Sequence, residues 1–142
     1  MLLDSTTRPD GTNLVEKLLS GSKWATTRTW KDRTIAGVQK SRDKGIAIRL
    51  QTNYGNWTLV AWALVDRLVT GPPSDVVTPE LVREVGCGGW TVDRYIDVWC
   101  TEKVKETVDG KEVETAEVCK TVTVTYFSRL WDRNGIEIIR CK

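Results

Sequence analysis

The spacing of hydrophobic and polar positions predicts short strands joined by a few short helices. Between residues 13 and 20, leucine and valine recur at helical spacing, and Gly21 follows where helices commonly end. The segment 23–30 is rich in threonine and tryptophan, which is typical of a strand. The polar segment 31–44 that comes next is expected to be a loop.

A β-hairpin is predicted in the middle of the chain. Residues 45–51 alternate isoleucine and leucine with other residues, as a half-buried strand does. Residues 53–56 form a turn, and residues 57–68 continue as a long apolar strand. Pro72 and Pro73 end this strand, because consecutive prolines cannot continue a strand ladder.

Two further helices are predicted from their capping residues. Thr78, followed by a proline and a glutamate, is typical of a helix start, and that helix should end at Gly86. Thr91 caps the next helix, whose apolar positions extend to Trp99. Together with the helix that ends at Gly21, this makes about three short helices.

The last third of the chain is expected to be mostly β-structure. Asp109-Gly110 lies between arms rich in threonine and valine. This pattern predicts a hairpin over residues 101–119 with a type I′ turn at Asp109-Gly110. Residues 120–127 and 135–140 are the remaining strands. Because no linker or repeat divides the chain, we expect one α+β domain, a small barrel with helices across its openings.

Composition restricts the chemistry. Of the 142 residues, 40% are hydrophobic and 28% are charged, which is ordinary for a globular domain. The absence of histidine excludes Ser-His-Asp and Cys-His nucleophile pairs and histidine-ligated zinc. The four cysteines form no C-x-x-C pair, so neither a metal nor another cofactor is expected. Any catalysis must therefore use lysine, carboxylate, hydroxyl or thiol groups.

The net charge of +2 conceals two oppositely charged segments. Residues 17–49 carry nine lysines and arginines against two aspartates, a net charge of +7. Residues 97–117 carry seven acids against three lysines, a net charge of −4. A basic surface of this kind suits an anionic partner, usually nucleic acid. A solubilising surface of mixed charge is the alternative interpretation.

The sequence also gives an expectation about location. No segment approaches the ~20 apolar residues that a transmembrane helix needs. The first residues lack the basic and apolar regions of a signal peptide. We therefore expect a cytoplasmic protein with no membrane partner.

The most informative segment is the junction between the first helix and the first strand. It contains Gly21, Lys23, Thr26 and Arg28 in the pattern Gly-x-Lys-x-x-Thr-x-Arg. This pattern resembles the signature of ASCH domains, which are relatives of the PUA RNA-binding barrel. In that signature a glutamate stands at the place of Thr26. A helix before the motif and a strand after it agree with the resemblance.

The ASCH resemblance covers most of residues 12–127. It implies an α+β fold, a small PUA-like β-barrel that makes up residues 1–142 as one domain. The acidic hairpin, residues 101–119, resembles an insertion on the family pattern. RNA, or a nucleoside or nucleotide, is then the expected partner, bound in a basic cleft.

The threonine variant of the motif resembles small bacterial ASCH proteins that hydrolyse N4-acylated cytidines. In those proteins a lysine, a threonine and a glutamate are catalytic, and the resemblance assigns the first two roles to Lys23 and Thr26. Glu84, on a predicted helix, is the candidate for the acid. This chemistry does not need histidine, because a desolvated lysine can take the proton from a threonine hydroxyl that attacks an amide carbonyl.

The motif residues also have simpler roles. Gly21 lets the chain turn and lets a ligand approach the backbone. Lys23 and Arg28 supply donors for phosphate or carbonyl oxygens. Their odd spacing requires a bulge, or a regular strand that begins after Lys23, before both can line one cleft. Arg28 can instead brace the fold, Thr26 can be an ordinary strand residue, and Glu84 can be a helix-surface acid.

Aromatic residues around the motif are candidate stacking surfaces. Trp24 and Trp30 flank it, and Lys31 and Arg33 extend the cationic region as further ligand-binding candidates. Aromatic rings beside a basic cleft can stack on unpaired bases. Packing in a small core is the alternative role of each tryptophan.

Three functions from different classes follow from these observations. RNA or nucleotide binding ranks first, because it needs only the charge and the motif. Amide hydrolysis of an N4-acylated cytidine ranks second, because it needs all three catalytic residues. A protein–protein adaptor that uses the acidic hairpin is the third. No residue argues specifically for ribonuclease activity, which also occurs among ASCH relatives.

Overall fold

The computed structural model describes the backbone of residues 2–3, 14–54 and 56–141, and the side chains of residues 15–52, 58–101, 106–113 and 120–141. In this part of the chain the helices are α1 (Leu14–Leu19), α2 (Asp32–Lys44), α3 (Pro73–Val76), α4 (Pro79–Glu84) and α5 (Val92–Trp99). The strands are β1 (Leu2–Leu3), β2 (Ala25–Arg28), β3 (Ile48–Tyr54), β4 (Asn56–Gly71), β5 (Thr101–Val108), β6 (Lys111–Cys119), β7 (Val122–Asp132) and β8 (Glu137–Ile138).

The main sheet is curled into a half-barrel around the long pair β4 and β7. Its strand order is β1-β3-β4-β7-β2, and β8 also pairs with β7. All pairings are antiparallel except that of β1 with β3. The register of β4 on β7 shifts around Val65, and that of β3 on β4 shifts after Leu50. Such bulges bend the strands and increase their twist, which promotes the curl of the sheet.

The two faces of the sheet support two separate cores, because successive residues of a strand point to opposite faces. The core on the concave face consists of Leu18, Trp24, Leu50, Val60, Ala61, Ala63, Phe127, Leu130 and Ile138. On the outer face, one end of the sheet packs against the layer α3–α5, with Ala25, Val122 and Val124 covered by Leu81, Val82, Val85 and Tyr95.

The mixed α+β class and the barrel-like curl agree with the sequence-based expectation, whereas the expected number of helices was too low. The segment expected to be a loop is α2, with Gly45 as its left-handed C-cap. An acid in the first turn, bases in the last turn and a 2.9 Å hydrogen bond from Gln39 to Asp43 favour this helix. None of its residues is buried. Because the helix needs no apolar face, its sequence shows little hydrophobic periodicity, and the pattern did not indicate a helix.

The predictions that depended on local signals are confirmed. The hydroxyls of Thr78 and Thr91 accept hydrogen bonds of 3.1 Å from backbone N–H groups at the starts of α4 and α5. Pro72 and Pro73 end β4, and Pro73 becomes the first residue of α3. Gly55, in the predicted turn between β3 and β4, lies outside the described residues.

The acidic hairpin forms a two-stranded sheet of its own. Its strands β5 and β6 pair from Thr101 with Cys119 to Val108 with Lys111. Asp109 and Gly110 have φ angles of 52° and 76°, which are the left-handed values of the predicted type I′ turn. Its interpretation as an insertion stays a prediction. No helix within the described ranges is long and apolar enough to cross a membrane.

Gly21 fixes the path of the chain at the end of α1. Its φ of +89° is left-handed, and a Cβ at this position would overlap the carbonyl oxygen of Ile139. The Gly21 carbonyl accepts hydrogen bonds from the Trp24 indole at 2.6 Å and from the Cys141 N–H at 2.9 Å. The chain segment that approaches the Gly21 backbone closely is therefore 139–141 of the protein itself.

The Gly21→Ala substitution is expected to lower the free energy of unfolding by about 2–5 kcal/mol, through left-handed strain and overpacking. Gly37→Ala is the matched control, because Gly37 lies within α2 and an added Cβ meets nothing within 4 Å. That control should gain about 0.5–1 kcal/mol. Urea denaturation measures both values, and equal stability of Gly21→Ala and the wild type would contradict this account.

Candidate functional site

The motif lies on β2, which is an edge strand of the main sheet. The Phe127 N–H donates to the Trp24 carbonyl at 2.9 Å, and β2 continues this antiparallel pairing along β7. In such a ladder, alternate residues turn their backbone groups away from the partner strand. Ala25 and Thr27 therefore present their carbonyl groups at the free edge.

The two cations of the motif bind these edge carbonyls. The Lys23 ammonium donates to the carbonyl of Ala25 at 2.7 Å and to that of Val85, at the end of α4, at 3.3 Å. The Arg28 guanidinium donates to the Thr27 carbonyl at 3.3 Å. Lys23 is only 3% exposed, and a buried ammonium needs such acceptors. It therefore joins α4 to the sheet and closes the edge of β2.

A narrow crevice follows the free edge of β2. Lys23, Thr26 and Arg28 all line it, because the regular strand begins after Lys23. Its other walls come from Thr27, Val85, Cys87, Tyr95 and Trp99. The crevice encloses about 10 Å³, which is room for about one water molecule. A nucleoside cannot enter it unless α4 and α5 move.

Thr26 is buried at the back of this arrangement. It is 2% exposed and lies opposite Thr125, which is fully buried, in the register of β2 and β7. Its neighbour Thr27 accepts a 2.8 Å hydrogen bond from the Tyr95 phenol on the other face. Alternation therefore turns the Thr26 side chain toward the interior of the half-barrel.

Glu84 lies outside the crevice. Its two carboxylate oxygens are each 2.8 Å from the Arg140 guanidinium, which stacks on the Trp24 ring 4.6 Å from the centroid. No acidic side chain lines the crevice among the described residues. The structure thus brings Lys23 and Thr26 to one crevice but not Glu84, and the catalytic role of this set stays a prediction of the resemblance.

A second and larger depression, here called the α2 cleft, lies between α2 and β3. It encloses about 450 Å³, within the range of small-molecule sites, ~300–1,000 Å³. Trp30 and Ile48 provide apolar walls, while Ser41 and Arg49 provide polar groups. Gly37 leaves part of the wall as bare backbone. The cleft has both the size and the mixed lining that an aromatic ligand needs.

Exposed cations lie on the face of α2 next to the residues that line the α2 cleft. Arg33, Lys40 and Lys44 are seven and four residues apart, which places them on one helix face that also contains Gly37. The helical rise separates them by about 10 Å and about 6 Å. In the described part of the chain, none of the three makes an ion pair or a hydrogen bond through its side chain.

The remaining cations of this region have different surroundings. Arg42 donates to the Asp66 carbonyl at 2.8 Å and to the Asp43 carboxylate at 3.2 Å, so it anchors α2 to β4. Lys31 is exposed at the start of α2. Sequence analysis did not single out Arg49, although alternation with Ile48 already places it on the opposite face of β3 from the core.

The two predicted stacking residues have opposite placements. Trp30 is half-buried and lines the α2 cleft. Trp24 is 5% exposed in the concave core, and Arg140 covers its ring. Of these two tryptophans, only Trp30 is therefore placed to meet a ligand.

Burial raises the pKa of Tyr95 well above its usual range, and the hydrogen bond to Thr27 offsets only part of that rise. An unfolded chain releases this proton near pH 10, whereas the folded protein retains it. The contribution of Tyr95 to the free energy of unfolding is therefore complete below about pH 10 and decreases as the pH rises further.

Tyr95→Phe removes the titrating hydroxyl and should weaken the alkaline loss of stability, by up to about 1.4 kcal/mol per pH unit. At neutral pH the same variant should lose about 1 kcal/mol with the hydrogen bond. Urea denaturation between pH 8 and pH 11, on both proteins, measures the two effects. Parallel curves above pH 10 would show that Tyr95 does not cause the alkaline loss.

Comparisons with known proteins do not distinguish the crevice from the α2 cleft. No family model matches the chain, and no curated protein and no solved structure matches it. The two sites can still be compared by their volume and by the state of their cations. The crevice encloses about 10 Å³ with its cations bound to carbonyls, whereas the α2 cleft encloses about 450 Å³ beside exposed cations.

Proposed function

We propose that this protein binds RNA, with the phosphates on the exposed stripe of α2 and a base in the α2 cleft. One observation carries the proposal: Arg33, Lys40 and Lys44 form an exposed cationic stripe on the face of α2 that contains Gly37, and Gly37 lines an open cleft together with Trp30. Phosphate neutralisation by lysine and arginine supplies most of the affinity of non-specific nucleic-acid binding.

The lining of the α2 cleft supports a base as the occupant. The Trp30 ring offers a surface on which any base can stack, which is worth about 1–3 kcal/mol. The hydroxyls of Thr34 and Ser41 and the amide of Gln51 offer donors and acceptors for a base edge. The Arg49 guanidinium, on the same wall, can pair with a phosphate or stack on the base.

We also propose that the half-barrel is of the ASCH type and that the whole chain is one such domain. Two features support the assignment. Gly21 ends α1 and β2 begins at Ala25, so the motif occupies a helix-to-strand junction. The curled sheet with short helices is the general architecture that the resemblance implies. RNA binding is the function that the relationship to PUA barrels would favour.

Binding is favoured over amide hydrolysis because it needs no rearrangement. Hydrolysis would require Lys23 to leave two backbone carbonyls and Glu84 to leave Arg140. It would also require the crevice to open by the volume of a nucleoside. RNA binding on α2 uses side chains that are already exposed.

Salt dependence tests the proposal directly. A fluorescein-labelled 15-nucleotide oligouridylate is titrated with the protein, and anisotropy is recorded between 50 and 200 mM KCl. The three α2 contacts alone predict that the logarithm of the association constant falls against the logarithm of salt with a slope of about −2, and each further phosphate contact makes it steeper by about 0.7. No binding at the lowest salt, or binding without salt dependence, would overturn the proposal.

A double variant identifies the surface. Arg33→Gln with Lys40→Gln removes two contacts and should make the slope shallower by about 1.4. Arg83→Gln with Lys111→Gln is the matched control, because both residues are exposed cations that lie outside α2. That control should bind like the wild type. A wild-type slope in the Arg33/Lys40 variant would place the RNA elsewhere.

A further inference from the structure

Three aromatic rings on the outer face of the main sheet each carry an arginine guanidinium. The distances from guanidinium carbon to ring centroid are 5.4 Å for Arg49 on Trp62, 4.8 Å for Arg129 on Trp131 and 4.1 Å for Arg67 on Tyr126. These six residues are called the arginine–aromatic face below.

The strand register aligns part of this face into a straight row. Arg49 of β3 lies opposite Trp62 of β4, and Trp62 lies opposite Trp131 of β7. Neighbouring strands are about 4.8 Å apart, so the two tryptophans are direct neighbours across β4 and β7. The row crosses the sheet from the edge at the α2 cleft to its centre.

Trp62 and Trp131 are turned away from the core of the half-barrel. Their neighbours Ala61, Ala63 and Leu130 are buried on the concave face. Both tryptophans are half-buried, and neither belongs to either core cluster. The layer α3–α5 packs at the other end of this face.

We infer that the arginine–aromatic face stacks unpaired bases, so that the RNA bound by this protein is single-stranded; the inference rests on the proposed function. Aromatic side chains on a sheet stack the bases of a single strand, whereas the bases of a duplex are paired and inaccessible. Arg129 is paired with Glu137 at 2.6 Å and Arg67 lies 3.7 Å from the Asp66 carboxylate, so Arg49 and the α2 stripe supply most of the positive charge for the phosphates between such bases.

The energies favour exchange of an arginine for a base. An exposed cation–π contact is worth about 0.5–1 kcal/mol, and stacking of a base on an aromatic ring is worth about 1–3 kcal/mol. A base can therefore replace the Arg49 guanidinium on Trp62, and at Trp131 the exposed ion pair of Arg129 with Glu137 adds about 0.2–1 kcal/mol to the cost of the exchange. The displaced arginine stays close enough to bind a phosphate or to stack on the other side of the base.

Arg49 connects this face with the α2 cleft. Its side chain lines the cleft and also lies over Trp62. A strand that places one base on Trp30 and its phosphates on α2 can thus continue over Arg49 to the two tryptophans. The continuity identifies a single strand, rather than an unrelated protein, as the occupant that fits both surfaces.

The first arm of the test compares RNA forms. The 15-nucleotide oligouridylate and a 15-base-pair RNA duplex are titrated with the wild-type protein at 50 mM KCl. The single strand should bind at least about tenfold more tightly, because only its bases can stack. Equal affinity for the two forms would overturn the inference while leaving the proposed RNA binding intact.

The second arm uses substitutions. Trp62→Leu and Trp131→Leu should each weaken single-strand binding by about fivefold to a hundredfold, and Trp62→Phe should retain most of the affinity. Trp90→Leu is the matched control, because Trp90 carries Arg94 at 4.0 Å but packs against the outer core with α3–α5. If both sheet variants bind with wild-type affinity while the Arg33/Lys40 variant still has a shallower salt slope, the stacking inference is refuted and the proposed RNA binding on α2 stands.

The third arm needs no substitution, so it also decides the question if a leucine variant fails to fold. Single-stranded RNA with 5-iodouridine is cross-linked to the wild-type protein by light, and the modified peptides are identified by mass spectrometry. Adducts at Trp62 or Trp131 are expected. Adducts confined to other residues would contradict the inference. If no RNA binds at all, both the inference and the proposed function are wrong.

Discussion

The pairing of β4 with β7 is the interaction on which both surfaces of this protein depend. It turns Ala61, Ala63 and Leu130 into the concave core and, by alternation, turns Trp62 and Trp131 to the outer face. The register shifts around Val65 bend this pair, and the bend promotes the half-barrel. Without that register the two indole rings would not be neighbours.

The cations of the motif serve the fold. Lys23 and Arg28 bind edge carbonyls of β2, and Lys23 also holds the end of α4 through the Val85 carbonyl. An edge closed in this way cannot pair with another strand. Exposed cations that can meet an anionic ligand include those on α2, such as Arg33 and Lys40.

Features with local causes could be predicted from the sequence, and features with distant causes could not. The caps Thr78 and Thr91 and the Asp109-Gly110 turn are encoded within a few residues, and all three are present. Helix α2 was missed because none of its residues is buried. The partners of Lys23 and Trp62 lie on elements far away in the chain, so their contacts depend on register and packing.

Nuclear magnetic resonance of the tryptophan indole N–H groups tests the central claim, that single-stranded RNA follows α2 and the outer face of the sheet. The chain has 7 tryptophans, and each indole gives its own signal. Added single-stranded RNA should shift the indoles of Trp30, Trp62 and Trp131. Shifts confined to Trp24 and Trp99, beside or on the β2 crevice, would contradict the claim and place the ligand at the motif instead.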